Sequence, residues 1–150
     1  TDLVVNKQCL FGNCYGLKLS FIQKIHDTGF KLPIGLGWID SNITKIVQRD
    51  LNDHFDGNTN RVIYHPECGY KFTSLSPFKL ADIKLYLSRI ARYETGRLQE
   101  QELDKISFLD WPDNLIDINK KILNAIEGGE IKIKFYLKAR VIKRLKKMAC

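Results

Sequence analysis

Acidic residues are absent from positions 131–150, cysteine and proline number only four each, methionine occurs once, and no apolar run is long. Each scarcity excludes something. No stretch approaches the roughly 18 uninterrupted apolar residues that a membrane-spanning helix requires, and the opening TDLVVNKQC lacks the charged start and apolar run of a secretory signal. Four cysteines in 150 residues are too few for a disulfide-built scaffold, and a chain of this length does not need one, so a reducing, cytoplasmic setting is expected. The chain opens on Thr1 rather than Met, as a processed or excised piece of a longer protein would, and delivery into a target cell is compatible with that.

With 44% hydrophobic residues, the chain is expected to form a single domain over residues 1–150 around one core. Its formal charge of +7 is carried by the end. Lys132, Lys134, Lys138, Arg140, Lys143, Arg144, Lys146 and Lys147 face no acid after Glu130, while the first 130 residues hold 16 basic against 17 acidic side chains. Residues 131–150 therefore form a basic C-terminal segment within the domain.

Hydrophobic periodicity places the elements. Leu17, Phe21 and Ile25 recur every four residues and predict a helix to about Asp27, closed by Thr28-Gly29. KLPIGLGW, with Pro33, Gly35 and Gly37, reads as a loop. Asp40 or Ser41 can cap a second helix through Ile43, Ile46, Val47 and Leu51. RVIYH and GYKFTSL predict two strands of a hairpin joined by His65 to Gly69. Ser76-Pro77 opens what should be the longest helix, and two more follow, at about Leu98–Ile106 and Pro112–Ile126. Lysines alternating with Ile131, Ile133 and Phe135 predict a strand over Glu130 to Leu137, after which Val141, Ile142, Leu145 and Met148 mark a basic amphipathic helix. The expected fold is α+β: helix-rich, with a small antiparallel sheet and a basic C-terminal strand-helix.

Three constellations carry chemistry. Cys14, in GNCYG, precedes a predicted helix whose unpaired N–H groups and dipole would favour a thiolate. The block from Gln8 through Gly12-Asn13-Cys14-Tyr15-Gly16 resembles the nucleophile block of papain-like cysteine peptidases and related bacterial effector proteases. The resemblance covers about ten residues. It implies a cysteine-dependent hydrolase or acyl transferase acting on a protein or peptide, of the effector or toxin kind, with Cys14 as nucleophile and the Gln8 side chain and Cys14 N–H on the oxyanion. His65, at the end of a predicted strand, would be the base, and Asp82 the group that orients it. His26 falls twelve residues along the same helix as Cys14, about 18 Å away, and is excluded as the base.

Cys9 and Cys14 with His65 and Cys68 have, alternatively, the stoichiometry of a structural zinc site, which would make the chain a zinc-stabilised binding module; no other cofactor is expected. Asp113 with Glu130 and Lys132 matches the residue types of a metal-dependent nuclease, which would require their segments on neighbouring strands. The basic tail, finally, suits nucleic acid, an acidic partner or an anionic surface. A ribonuclease version pairs His54 and His65 as acid and base with a tail lysine on the phosphate.

Overall fold

The computed structural model describes residues 9–10, 15–54, 56–63 and 74–149. Among these residues five α-helices run in chain order: α1 (Leu19–Asp27), α2 (Ile39–Arg49), α3 (Leu80–Leu103), α4 (Ile116–Glu127) and α5 (Phe135–Met148), with short 3₁₀ turns at Thr59–Arg61 and Phe108–Asp110. Among the described residues there is no strand. The only β pairing among them is an isolated parallel bridge between Ile34 and Asn114. The α+β expectation is thus corrected: the described residues form helices and connectors alone, and the small antiparallel sheet is not formed by them.

The reason is local at both expected sites. Ile131 and Ile133 do alternate inward with exposed Lys132 and Lys134, and both isoleucines pack on the helical core. They do so from a single extended connector, because a strand needs a partner and alternation alone cannot supply one. Helical spacing takes over at Phe135. Upstream, the side chain of Asn58 accepts a hydrogen bond from the Asn60 N–H and caps the Thr59–Arg61 turn, so Arg61 to Ile63 do not extend a ladder; residues 64–73 of the expected hairpin lie outside the described residues.

The chain forms two compact units. One comprises residues 1–32, 39–72 and 106–111, the other 33–38, 73–105 and 112–150. In the first, Phe21 of α1, Ile46, Val47 and Leu51 of and after α2, Val62 and Phe108 form the buried core, with Trp111 packed on it. Trp111 meets Phe30 and Phe108 at centroid separations of 5.7 and 5.4 Å. Asp50 and Leu51 close α2 in the left-handed region, at φ 55° and 57°, where a glycine would usually serve. Lys24 and Arg61 hold that corner: the Lys24 ammonium donates to the Asp50 carbonyl at 2.8 Å and reaches its carboxylate at 2.9 Å, and Arg61 reaches the same carboxylate at 2.6 Å.

In the second unit, Ala91 and Leu98 of α3, Ile122 and Ile126 of α4, and Leu137, Val141 and Leu145 of α5 form one buried cluster. The two helices predicted around Leu87 and Leu103 are a single helix of 24 residues, continuous through Gly96. That glycine is a packing device. A Cβ there would stand 2.7 Å from the Trp38 Cβ and 3.2 Å from its backbone nitrogen, so its absence lets the loop at residues 33–38 lie against α3.

Candidate nucleic-acid interface

α5 owes its position to three side chains. Leu137, Val141 and Leu145 recur every four residues and are almost wholly buried, which fixes one face of the helix to the core. Its end is also tied down, since the Asn119 side-chain amide donates to the Met148 carbonyl at 3.2 Å. With the apolar face committed, the charged residues have only the opposite side. Lys138, Arg140, Lys143, Lys146 and Lys147 are exposed, Arg144 is half-buried, and Lys132 and Lys134 are exposed on the connector.

The arrangement on that side is a stripe. Tyr136, Arg140, Lys143 and Lys147 stand at i, i+4, i+7 and i+11, the spacing that keeps residues on one helix face, and the helix is 14 residues long, about 21 Å at 1.5 Å per residue. Among the described residues, Lys146 has an ion pair, to Glu127 at 3.3 Å, whereas none joins Arg140, Lys143 or Lys147 to an acid. Lys146 and Lys147 also sit in the last turn, where cations oppose the negative end of the helix dipole. Phe135 is 90% and Tyr136 46% exposed, with their rings edge to face at 5.6 Å.

The residues expected for hydrolase chemistry are not brought together by what is described. Gln8, Cys14, His65 and Cys68 lie outside the described residues. Asp82 is placed, and its carboxylate accepts the Ser76 N–H at 2.9 Å, a cap on the approach to α3. Of the expected zinc set only Cys9, which is half-buried, is described, and the described residues contain no group of three metal-ligating side chains. His54 is exposed, its N–H donating to the Asn52 side chain at 3.0 Å.

The nuclease constellation is dispersed. Asp113 precedes α4 and Glu130 follows it, so the helix of 12 residues, about 18 Å long, keeps the two carboxylates apart. A groove lined by Glu102, Lys105, Asp117, Lys120, Lys121 and Glu130 among others lies on the same unit. Most of its charges cancel internally: Glu102 is bonded by both Lys105 and Lys121, the latter at 2.6 Å, and Lys120 faces Asp117 at 3.6 Å. The hydrogen bonds from Lys105 and Lys121 hold the Glu102 carboxyl below its ordinary pKa, against the opposing effect of desolvation.

Two structural groups escape composition and periodicity. Gln99 and Asn119 are buried at core positions and bonded to each other, and the sole clue to them is a polar residue falling within each apolar stripe. The alignment of Tyr136 with Arg140 follows only from the start of α5 at Phe135. Comparison with family models, with curated proteins and with solved structures finds no match.

Proposed function

We propose that the protein binds nucleic acid through the outer face of α5 and the connector before it. The observation that carries this reading is the separation of roles on one helix: Leu137, Val141 and Leu145 anchor it, leaving Arg140, Lys143 and Lys147 exposed without an ion pair among the described residues. A row of cations held in place and not tied up in ion pairs releases counterions from a phosphate backbone on binding, which supplies most of the free energy of nonspecific association. A solvated helix face on an ordinary domain would carry both signs, as α4 does with Asp117, Lys120 and Lys121.

Fluorescence anisotropy of a labelled oligonucleotide, titrated with the full chain over a range of salt concentrations, tests the reading. Affinity should be about micromolar near physiological salt and fall linearly on a log–log plot, with a slope of about −0.7 to −0.9 per phosphate neutralised. The triple variant Arg140→Gln/Lys143→Gln/Lys147→Gln should bind more weakly with a shallower slope. Binding indifferent to salt, or unchanged in the triple variant, would remove α5 as the interface.

A further inference from the structure

We infer that the nucleic acid taken by α5 is single-stranded, with unpaired bases stacked on Phe135 and Tyr136 while the backbone follows Arg140, Lys143 and Lys147; this rests on the reading of α5 as the nucleic-acid interface. A purely electrostatic helix would need only its charges. Here the first turn of the same helix carries two exposed aromatic rings. Phe135 is among the most exposed large apolar side chains of the described residues, at 90%, although a phenylalanine ring left in water forgoes the burial that ordinarily places it inside.

The geometry favours stacking over a further role in the fold. The two rings stand edge to face, so their planes are near perpendicular and each offers a π-face in its own direction. Tyr136 begins the row that continues through Arg140, Lys143 and Lys147, which puts a ring and three cations along about 17 Å of one helix face. Base faces are hidden inside a duplex and available in a single strand, where stacking on an aromatic side chain contributes with little regard to sequence. Lys132 and Lys134, exposed on the connector just before the rings, extend the positive surface on the other side of them. The combination is a stacking platform flanked by cations, the chemistry by which single strands are held without sequence readout.

The experiment compares a fluorescein-labelled oligothymidylate of about 16 nucleotides with its duplex to oligoadenylate, each titrated with the full chain. Wild type should bind the single strand several-fold more tightly than the duplex. The double variant Phe135→Ala/Tyr136→Ala should raise Kd for the single strand about tenfold, leave duplex binding within twofold, and keep the salt slope of the single-strand complex. Both positions are exposed, and an unchanged far-ultraviolet circular dichroism spectrum confirms the fold of the variant. Equal wild-type affinity for the two nucleic acids, or single-strand binding untouched by the aromatic variant, overturns the inference while the α5 charge variants still test the interface itself. If the triple charge variant has no effect on either ligand, the underlying reading fails and the inference falls with it.

Discussion

The side chains of Gln99 and Asn119 meet in the interior of the second unit, the Gln99 amide donating to Asn119 Oδ1 at 2.8 Å with both residues at most 1% exposed. Around this pair the loop at residues 33–38, α4 and the end of α5 are joined. Gln99 Oε1 accepts the Gly37 N–H at 2.8 Å, its amide also donates to the Gly35 carbonyl at 3.1 Å, and Asn119 donates onward to Met148. A buried polar network of this kind stabilises when complete and costs heavily when one member is removed. Gln99→Ala should therefore lower the free energy of unfolding by about 3 kcal/mol, measured by urea denaturation. Asn119→Ala should be of similar severity, and the double variant should lose clearly less than the two single losses combined, because the second change breaks a network already broken. Additive losses would show the two side chains to be independent.

Gly96→Ala makes a prediction opposite to helix propensity. In an exposed helix interior the change would stabilise by about 1 kcal/mol. At this position the new methyl would lie 2.7 Å from the Trp38 Cβ, closer than packed carbons tolerate, and the overlap should cost about 1–3 kcal/mol. The net outcome is a lower urea midpoint with an altered tryptophan emission, since Trp38 must shift. A higher midpoint would show the contact to be absent in solution.

Why the helices were legible and the sheet was misread follows from the same residues. Phe21 and Ile25 do mark α1, although it starts at Leu19 and leaves Leu17 before it, and Ile43, Ile46 and Val47 do mark α2, because a 3.6-residue period is the mark of a helix with one buried face. The alternation at Ile131 and Ile133 has two causes, a paired strand or an extended connector laid on helices, and one chain's pattern does not distinguish them. Nothing in the local pattern marks Gly96 as the interior of one long helix; its purpose becomes visible only with Trp38 opposite it. Leu51 and Asp50 adopt left-handed backbone through ties to Lys24 and Arg61 that are 26 and 11 residues away from Asp50, beyond the reach of local patterns. The cluster of basic residues was legible from charge counting, whereas which of them share the outer face, and their alignment with Tyr136, required the start of α5.

Acid should weaken the fold through two identifiable carboxylates. The hydrogen bond from Lys24, and then the charge of Arg61, hold Asp50 below its ordinary pKa, as Lys105 and Lys121 do for Glu102. A carboxylate whose pKa is depressed on folding contributes stability that is fully present above its unfolded-state value and is lost as pH falls through its folded-state value. Urea midpoints should therefore hold steady from neutral pH down to the ordinary carboxylate range and decline below about pH 4. Asp50→Asn and Glu102→Gln should each lower the midpoint at neutral pH and flatten the decline in acid. A variant that keeps the wild-type slope would show that its ion pairs are not maintained in solution. Both sites are partly open to water, so each effect should be modest.

The Cys14–His65 pairing expected from GNCYG makes a chemical prediction that depends on no described contact. The helix that the motif was expected to open starts only at Leu19, so activation of Cys14 would rest on the imidazole alone, and a thiol paired with it should react with iodoacetamide at neutral pH faster than Cys9, Cys68 or Cys150. Peptide mapping after brief alkylation gives the relative rates. His65→Ala should slow labelling of Cys14 alone. Equal labelling of the accessible cysteines would remove the hydrolase reading.

The two faces of α5 should respond to mutation in opposite ways. Val141 and Leu145 are fully buried, and Leu145→Ala should cost about 3 kcal/mol of stability through lost burial and the cavity it leaves. Lys143→Gln, on the exposed face, should change stability by less than about 0.5 kcal/mol while reducing the salt slope of nucleic-acid binding by about 0.7. Deleting the chain from Leu137 onward would confuse the two, since it removes core and cations together and would abolish binding simply by unfolding the second unit. Point replacement separates them: a Lys143→Gln protein with wild-type urea midpoint and weakened, less salt-sensitive binding locates the ligand on the outer face. If instead Lys143→Gln and Leu145→Ala lose stability alike, the helix is not seated with the faces described, and the cations are not presented as one surface.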